Sequence, residues 1–237
     1  DVLCANGKVN LYVSSGFTCG SITTSGGGTG ADGGQFYITT GAKTFTLRCN
    51  VVAGTTTCLQ TQHSSGTVAV IGDVTAGSAA NSAYGILKAT GAGTLTVEGT
   101  VTGGTNRAAA FGIQCSTGAT VITGAVVGGT NTLNNNPCGV YVNGACTVTI
   151  NGTVTGGSNT STQYWCAGVW NNHASGVVTV NGTVTGGTGF AASGVVGAFG
   201  PVTVVGGLVD SETCSAVAGK VYWRPASVAH YWQVAWN

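Results

Sequence analysis

Short runs of valine and isoleucine alternate with threonine along much of the chain. The segments 147–150 and 178–180 read Thr-Val-Thr-Ile and Val-Thr-Val. Side chains of a β-strand point alternately to its two faces, so one set is expected to face a core and the other the solvent. No segment shows the 3.6-residue hydrophobic period of a helix, and the pattern therefore predicts an all-β protein. The residues predicted to point inward here are Val148, Ile150, Val178 and Val180.

A nine-residue segment recurs along the chain and sets a longer period. Its best copies, 97–105, 150–158 and 180–188, share the sequence Gly-Thr-Val-Thr-Gly-Gly. This segment and a second marker, glycine followed by isoleucine or valine, both recur about every 27 residues. The shared period predicts the stacked coils of a parallel β-solenoid, with about three short strands in each coil. The first glycines of this box, degenerate copies included, are Gly72, Gly99, Gly124, Gly152, Gly182 and Gly206. The second marker, glycine followed by isoleucine or valine, begins at Gly85, Gly112, Gly139, Gly168 and Gly194.

The repeat also predicts where side chains lie within a coil. The valine of each Gly-Thr-Val-Thr box is expected to point inward, and the glycines to form the corners. The flanking threonines are expected to form outward ladders with a spacing of about 4.8 Å between coils. The inward valines are Val101, Val126, Val154 and Val184, and the outward threonines are Thr100, Thr102, Thr153, Thr155, Thr183 and Thr185.

The period divides the chain into regular and irregular parts. Dividing the 237 residues by the period gives about nine coils. Residues 1–80 keep the short β spacing without clear markers and are predicted to form irregular N-terminal coils. Residues 81–212 are predicted to form the regular solenoid, and residues 213–237 an aromatic-rich terminal element.

The composition of the chain limits the kinds of molecule that it is expected to bind. Only 5% of the residues are charged, and the net charge is +1. Nucleic-acid binding needs clustered basic residues, whereas the seven Lys and Arg are scattered between Lys8 and Arg224. Apolar runs are interrupted well before the roughly 20 residues that a membrane helix needs. We therefore expect no nucleic-acid partner and no membrane span.

The cysteines and the start of the chain point to secretion. The chain begins at Asp1, contains no methionine and has nine cysteines, which predicts a processed protein in an oxidising compartment. No two cysteines have a CxxC spacing, which favours disulfides over a zinc site. Because adjacent coils are expected to bring them together, the pairs Cys138 with Cys166 and Cys19 with Cys49 are predicted either to form disulfides or to pack as buried thiols.

The C-terminal segment differs from the repeat in its aromatic content. The last coil of a solenoid exposes unpaired backbone and a cross-section of its apolar core. The segment is predicted either to cap that end within the molecule or to add a strand to a neighbouring subunit, which would build a filament. The residues assigned to this role are Tyr222, Trp223, Tyr231, Trp232, Val234 and Trp236.

Catalytic chemistry finds little support in the sequence. Of only six carboxylates, Asp210 and Glu212 are close in sequence, and this spacing fits a solvated turn better than a glycosidase acid/base pair. The three histidines lack metal-ligand spacing, and no nucleophile elbow or Ser/His/Asp arrangement is present. We expect no enzyme activity, no metal and no cofactor.

The threonine ladders offer a further interpretation, because a flat array of hydroxyl and methyl groups can order water and bind ice. The array is interrupted at Asp73, Ala125, Val127, Leu208 and Asp210. Threonine is also a favourable outward residue on any strand. Ice binding is therefore the weaker interpretation.

The Gly-Thr-Val-Thr-Gly-Gly boxes and Gly-Ile/Val markers of residues 68–210 resemble the parallel β-helix repeats of secreted bacterial surface proteins and of phage fibre or tailspike proteins. The resemblance implies the architecture, whereas function varies among proteins of this design. Tailspikes that cut polysaccharide normally present acidic clusters, which this chain lacks.

Two functional hypotheses follow from these observations. The first is a secreted, self-assembling filament or fibre subunit whose partner is another copy of the chain. The second is a phage or cell-surface fibre that binds a receptor glycan through its loops, with Tyr164, Trp165 and Trp170 contacting the sugar. Both hypotheses place the protein outside the cell, at a cell or virion surface.

Overall fold

The structure is a computed structural model that describes part of the chain. Near the termini, in residues 2–5, 17–25, 207–209, 220–223 and 233–235, only the backbone is described. Within the described residues the chain forms β-strands and no helix, and hence contains no helix able to span a membrane. The described ranges are 2–5, 17–25, 36–38, 40–54, 57–79, 82–106, 109–132, 136–160, 165–189, 192–196, 199–209, 220–223 and 233–235.

Most of the strands are short, because glycine-rich turns interrupt them at close intervals. In chain order they are β1 (Val2–Ala5), β2 (Phe17–Ser25), β3 (Phe36–Ile38), β4 (Phe45–Ala53), β5 (Leu59–Thr61), β6 (Thr67–Ile71), β7 (Val74–Thr75), β8 (Ser78–Ala79), β9 (Ile86–Lys88), β10 (Thr94–Glu98), β11 (Val101–Thr102), β12 (Thr105–Asn106), β13 (Ile113–Cys115) and β14 (Gly118–Thr123). They continue with β15 (Val126–Val127), β16 (Thr130–Asn131), β17 (Cys138–Val142), β18 (Cys146–Asn151), β19 (Val154–Thr155), β20 (Ser158–Asn159), β21 (Cys166–Asn171), β22 (Val177–Val180), β23 (Thr183–Thr185), β24 (Ala192–Val196), β25 (Val202–Val204), β26 (Gly207–Val209), β27 (Lys220–Trp223) and β28 (Gln233–Ala235).

Three sheets run along the solenoid axis. Sheet 2 contains seven strands, from β3 to β24, sheet 3 contains β8, β12, β16 and β20, and sheet 1 contains the other 17 strands. One regular coil contributes β9 to sheet 2, β10 and β11 to sheet 1, and β12 to sheet 3. The named strands pair in parallel, except that β27 pairs antiparallel with both β25 and β28. The predicted parallel β-solenoid is thus confirmed.

The glycine markers form columns along the solenoid, as the repeat predicts. A Cβ atom at Gly85 would lie 2.6 Å from the carbonyl oxygen of Gly112, and one at Gly112 would lie 2.7 Å from that of Gly139. The N–H of Ile86 donates to the same Gly112 oxygen at 2.9 Å. Successive segments of about 27 residues therefore lie directly on one another.

The structure contains fewer regular coils than the nine predicted. Six consecutive parallel pairings connect β4, β6, β10, β14, β18, β22 and β25 in sheet 1. β1 and β2 precede them in this sheet, but the pairing of β2 with β4 shifts its register between Thr18 and Ser21. The prediction applied the period to the whole chain, whereas the next described strand after β26, β27, reverses direction against β25.

The interior is formed by the residues that the alternation predicts. Val101 lies in register with Val126, which lies in register with Val154 and so with Val184. None of the threonines that flank these valines is buried. Burial of each such side chain contributes about 1.5–3 kcal/mol to folding. The predicted inward residues without exposed surface are Val101, Val126, Val148, Ile150, Val154, Val178, Val180 and Val184.

Glycine is required at the corner that begins each Gly-Thr-Val-Thr box. Gly99 and Gly124 have φ angles of +153° and +144°, which other residues rarely adopt. A Cβ atom at Gly124 would also collide with the carbonyl oxygen of Gly99 in the preceding coil. Backbone conformation and lack of space therefore both select glycine here.

Replacement of Ile150 by alanine is expected to lower the free energy of unfolding by about 2–5 kcal/mol, because the side chain is fully buried and its loss leaves a cavity. The matched control is Thr147→Ala in the same strand, where the exposed side chain should change stability by no more than about 0.5 kcal/mol. Chemical denaturation measures both values. Equal losses would contradict the assignment of the two faces.

Candidate functional site

The outer face of sheet 2 carries a row of side chains with one residue from each coil. Leu87, Gln114, Tyr141, Trp170 and Val196 occupy equivalent register positions in successive coils. Their neighbours along each strand point into the solenoid, so these side chains point out of it. This face therefore carries aliphatic, amide and aromatic side chains in one row.

Four aromatic rings stack along this face and form what we call the aromatic column: Tyr84, Phe111, Tyr141 and Trp170. The ring centroids of Tyr84 and Phe111 are 5.4 Å apart and the rings are inclined by only 15°. Phe111 and Tyr141, and Tyr141 and Trp170, have centroid distances of 4.8 Å with tilted rings. Because strands in adjacent coils lie about 4.8 Å apart, the fold itself spaces the rings for stacking.

Small residues make room for the aromatic column. Together with Phe111 they form a second hydrophobic cluster outside the main core, and the half-buried side chain of Trp165 also packs against this cluster. Phe111 is only 3% exposed, whereas the ring of Trp170 is half-buried. The column thus presents part of its surface to solvent while its centre is packed. The buried members of this cluster are Ala109, Phe111, Cys138, Ala167 and Val196.

Amide groups border the aromatic column. Nδ2 of Asn172 donates a hydrogen bond to the Tyr141 hydroxyl at 3.3 Å, and Oδ1 of Asn136 accepts one from the Trp165 N–H at 2.7 Å. Aromatic rings offer an apolar surface, and amides offer donors and acceptors. The arrangement suits a ligand with an apolar face and hydroxyl edges, such as a sugar ring.

The structure brings together two of the three residues predicted to contact a glycan. Trp165 and Trp170 both pack in the second hydrophobic cluster, whereas Tyr164 lies outside the described residues. The sequence analysis did not identify Tyr84 and Phe111 as members of this surface. Both residues directly precede a Gly-Ile marker, so alignment of the coils on that marker would have found them.

Of the two alternatives predicted for Cys138 and Cys166, the structure has the buried thiols and not the disulfide. Cys138 lies in register with Ala167, and Cys166 lies in register with Ala192. The two cysteines therefore occupy alternate positions and point to opposite faces of sheet 2. Each thiol donates instead to a nearby carbonyl, that of Asn136 at 3.4 Å or that of Thr188 at 3.2 Å.

The second predicted cysteine pair remains a prediction. Cys49 is buried in β4. Cys19 lies in β2, where only the backbone is described, within the segment in which the register with β4 shifts.

The C-terminal aromatic segment extends sheet 1. Tyr222 and Trp223 lie in β27, in which Tyr222 pairs with Val202 of β25. Val234 lies in β28 and pairs with Tyr222. This antiparallel hairpin continues the hydrogen bonding of the last parallel strand. The other residues assigned to this segment, Tyr231, Trp232 and Trp236, lie outside the described residues.

A polar column inside the solenoid was missed by the sequence analysis. Thr61, Lys88, Cys115 and Asn171 point inward from sheet 2 at equivalent register positions, with Val142 between the last two. None of these polar residues has exposed surface. They follow the Gly-Ile and Gly-Val markers at a constant offset, and alignment on those markers would have shown a polar residue among apolar ones.

His63 belongs to the same interior. Its Nε2 donates to the Thr94 carbonyl at 3.0 Å, and its Nδ1 forms a hydrogen bond with the Thr61 hydroxyl at 2.5 Å. Burial lowers the pKa of His63, and the nearby charge of Lys88 lowers it further. The interior therefore favours the uncharged ring.

Of the six carboxylates, Asp73 and Glu98 lie within the described residues. Asp73 accepts the Thr100 N–H at 2.7 Å, which ties one coil corner to the next. Asp210 and Glu212 lie outside the described residues.

No protein-family model, curated protein or solved structure matches the chain. A solenoid by itself does not select a function, because one fold carries many. Two features of this chain bear on its function. They are the aromatic column with its bordering amides and the strands at the ends of sheet 1.

Stability is expected to fall as the pH is lowered below about 6.5, the ordinary pKa of histidine. The unfolded chain then binds a proton that the folded protein, in which the pKa of His63 is lowered, still excludes. Denaturation experiments between about pH 7 and pH 5 should show this loss, and the His63→Gln variant should show a smaller pH dependence. An unchanged pH dependence in the variant would contradict this role of His63.

Proposed function

We propose that the chain is a non-enzymatic, extracellular structural protein, a self-assembling β-solenoid subunit of a filament or fibre. Most of the described residues build the stacked coils themselves. The charged fraction of 5% supports this role, because few charges oppose close contact between copies of the chain.

The observation that carries the proposal is the pair of edge strands of sheet 1. β1 pairs with β2, β28 pairs with β27, and within the described residues neither edge strand has a second neighbour. An edge strand presents N–H and C=O groups with which another chain can pair. The C-terminal hairpin therefore moves the edge of sheet 1 outward from β25 to β28.

Addition of β28 to β1 of the next subunit would join two different ends of the molecule. Such a contact is heterologous and leaves one free end of each kind, so it repeats into a filament unless a ring closes. The competing role of the hairpin is a cap that only covers β25. The two roles differ in whether β28 hydrogen bonds to a second molecule.

Negative-stain electron microscopy of the purified protein is expected to show uniform filaments of this one chain, with a length that increases with concentration. The filaments are expected because each added subunit pairs an exposed strand edge. Light scattering of the same samples measures the mass of the particles in solution. A single monomeric species at every concentration would contradict self-assembly and would support the cap.

Two proline variants in β28 sharpen this test. Successive N–H groups of a strand point to its opposite edges, and proline removes one of them. Of Gln233→Pro and Val234→Pro, one therefore removes a donor to β27 and the other a donor that points outward. Filaments should be lost in the outward variant while its melting temperature is retained. Equal assembly of both variants and the parent protein would exclude β28 from the joint.

A glycan-binding fibre is the second candidate, and the aromatic column favours it. Trp165 and Trp170 are half-buried in the second hydrophobic cluster, where Asn136 accepts the backbone N–H of Trp165 and Asn172 donates to the hydroxyl of Tyr141, the ring that packs on Trp170. A sugar ring could pack on the exposed part of the Trp170 indole while its hydroxyls bond to these amides.

A glycan array followed by tryptophan fluorescence titration tests this candidate. The Trp170→Ala variant is expected to bind an identified glycan about tenfold more weakly, because one aromatic contact is lost. Tyr37→Ala is the matched control, since Tyr37 occupies the same outward register four coils before Tyr141 and is 45% exposed. Absence of any bound glycan, or equal weakening in both variants, would reject this candidate.

A further inference from the structure

One register position, where each coil enters sheet 1, holds glycine in five of seven coils. The residues that follow this position pair in register from coil to coil, and Gly118 itself pairs with Cys146. Lys43, in the first of these coils, and Cys146 are the two exceptions. The seven residues in order are Lys43, Gly66, Gly93, Gly118, Cys146, Gly176 and Gly200.

Large polar side chains from the preceding coil explain the glycines. A Cβ atom at Gly118 would lie 2.8 Å from Cε of Lys88. One at Gly93 would collide with the imidazole ring of His63. Each of these inward side chains therefore fills the space that a side chain in the next coil would need.

Cys146 is accommodated because the residue below it is small. The preceding coil presents Cys115 where the coil before that presents Lys88, since these two residues are register partners. The register therefore places the Cys146 side chain over that of Cys115 across the coil boundary, as it places Gly118 over Lys88. Two cysteines thus occupy a place that elsewhere holds one long side chain and one glycine.

We propose that Cys115 and Cys146 form a covalent cross-linking site, at which hydrogen peroxide joins two consecutive coils through a disulfide. The site differs from both cysteine pairs predicted from the sequence. The inference is independent of filament formation, because both sulfur atoms belong to one molecule.

The surroundings select Cys115 as the thiol that reacts first. The hydrogen bond from the Cys146 thiol lowers the pKa of Cys115, and Thr120 and the charge of Lys88 act in the same direction. Lys88 also donates from Nζ to the Gly91 carbonyl at 3.1 Å. The pKa of Cys146 is raised, because its proton is shared with Cys115. Of the two thiols, Cys115 is therefore the one that ionises more readily.

The reaction proceeds in two balanced steps. The Cys115 thiolate attacks one oxygen of hydrogen peroxide, the O–O bond breaks, and hydroxide leaves, so that Cys115 becomes a sulfenic acid. The Cys146 sulfur then attacks the Cys115 sulfur, the S–O bond breaks and water leaves with the Cys146 proton. Overall, two thiols lose two electrons and two protons to peroxide, and two waters form.

Access to the buried pair runs through the turn before β18. Asn143 and Ala145 are exposed, and Cys146 follows directly. The Ser116 hydroxyl donates to Oδ1 of Asn143 at 2.6 Å, which holds this turn to the preceding coil. Peroxide is small, so a brief opening of this contact is sufficient for entry.

The test starts from reduced, purified protein that is treated with hydrogen peroxide, denatured in an alkylating reagent and digested for mass spectrometry. The expected product is a peptide pair linked through Cys115 and Cys146, together with the loss of two alkylated thiols per chain. The linked protein should also melt at a higher temperature than the reduced protein, because the cross-link restricts the unfolded chain. Full alkylation of both cysteines after peroxide treatment would overturn the proposal.

The variant Cys146→Gly introduces the residue found in the neighbouring coils and so should fold. It should form no cross-link, and its Cys115 should instead be labelled by dimedone, which reacts with sulfenic acids. Lys88→Met should slow the cross-linking about threefold for each unit by which the pKa of Cys115 rises, because the loss of thiolate outweighs the gain in its nucleophilicity. Cys138→Ser is the matched control, because Cys138 is equally buried but lies in the outer cluster, and it should cross-link at the parental rate. Retention of the two-thiol loss in Cys146→Gly would also overturn the assignment.

Discussion

Parallel hydrogen bonding between successive coils is the constraint on which the rest of the structure depends. The bond from the Ile86 N–H to the Gly112 carbonyl repeats the same contact one period later. Each side chain consequently lies about 4.8 Å from its counterpart in the next coil. A residue that suits one coil must also suit its neighbours, which explains why the core is valine over valine and why a ring in one coil stacks on a ring in the next.

Because the coils are stacked, the room available to a side chain also depends on the residue that lies opposite it in the adjacent coil. An inward side chain that is too large for its own coil extends beneath the next, as Lys88 extends beneath Gly118. The glycine that accommodates it lies 30 positions away in sequence but adjacent in space. Where the preceding coil has the smaller Cys115 in place of Lys88, the following coil has Cys146 in place of glycine. The buried side chains of Lys88, His63 and Asn171 are tolerated because each hydrogen bonds to a backbone carbonyl of its own or the next coil.

The solenoid was predictable because its signal repeats. The Gly-Thr-Val-Thr boxes and Gly-Ile/Val markers carry one period, and the alternation of valine with threonine identifies the inward face at Val154 and its equivalents. The candidate site was only partly predictable. Trp165 and Trp170 were identified as candidate glycan contacts, whereas their neighbours Phe111 and Tyr141 come from other coils and become apparent only when the coils are aligned on the Gly-Ile and Gly-Val markers.

The sequence by itself determined the architecture, because a strand period of two and a coil period of about 27 residues are properties of the chain that need no knowledge of contacts. Only the tertiary structure decided which cysteines meet. Cys138 and Cys166 have a spacing close to the period yet point to opposite faces, whereas the register places Cys146 of sheet 1 over Cys115 of sheet 2 across a corner. The physical reason is that strand alternation and corner geometry set the direction of each side chain, and a change of one residue in register reverses that direction.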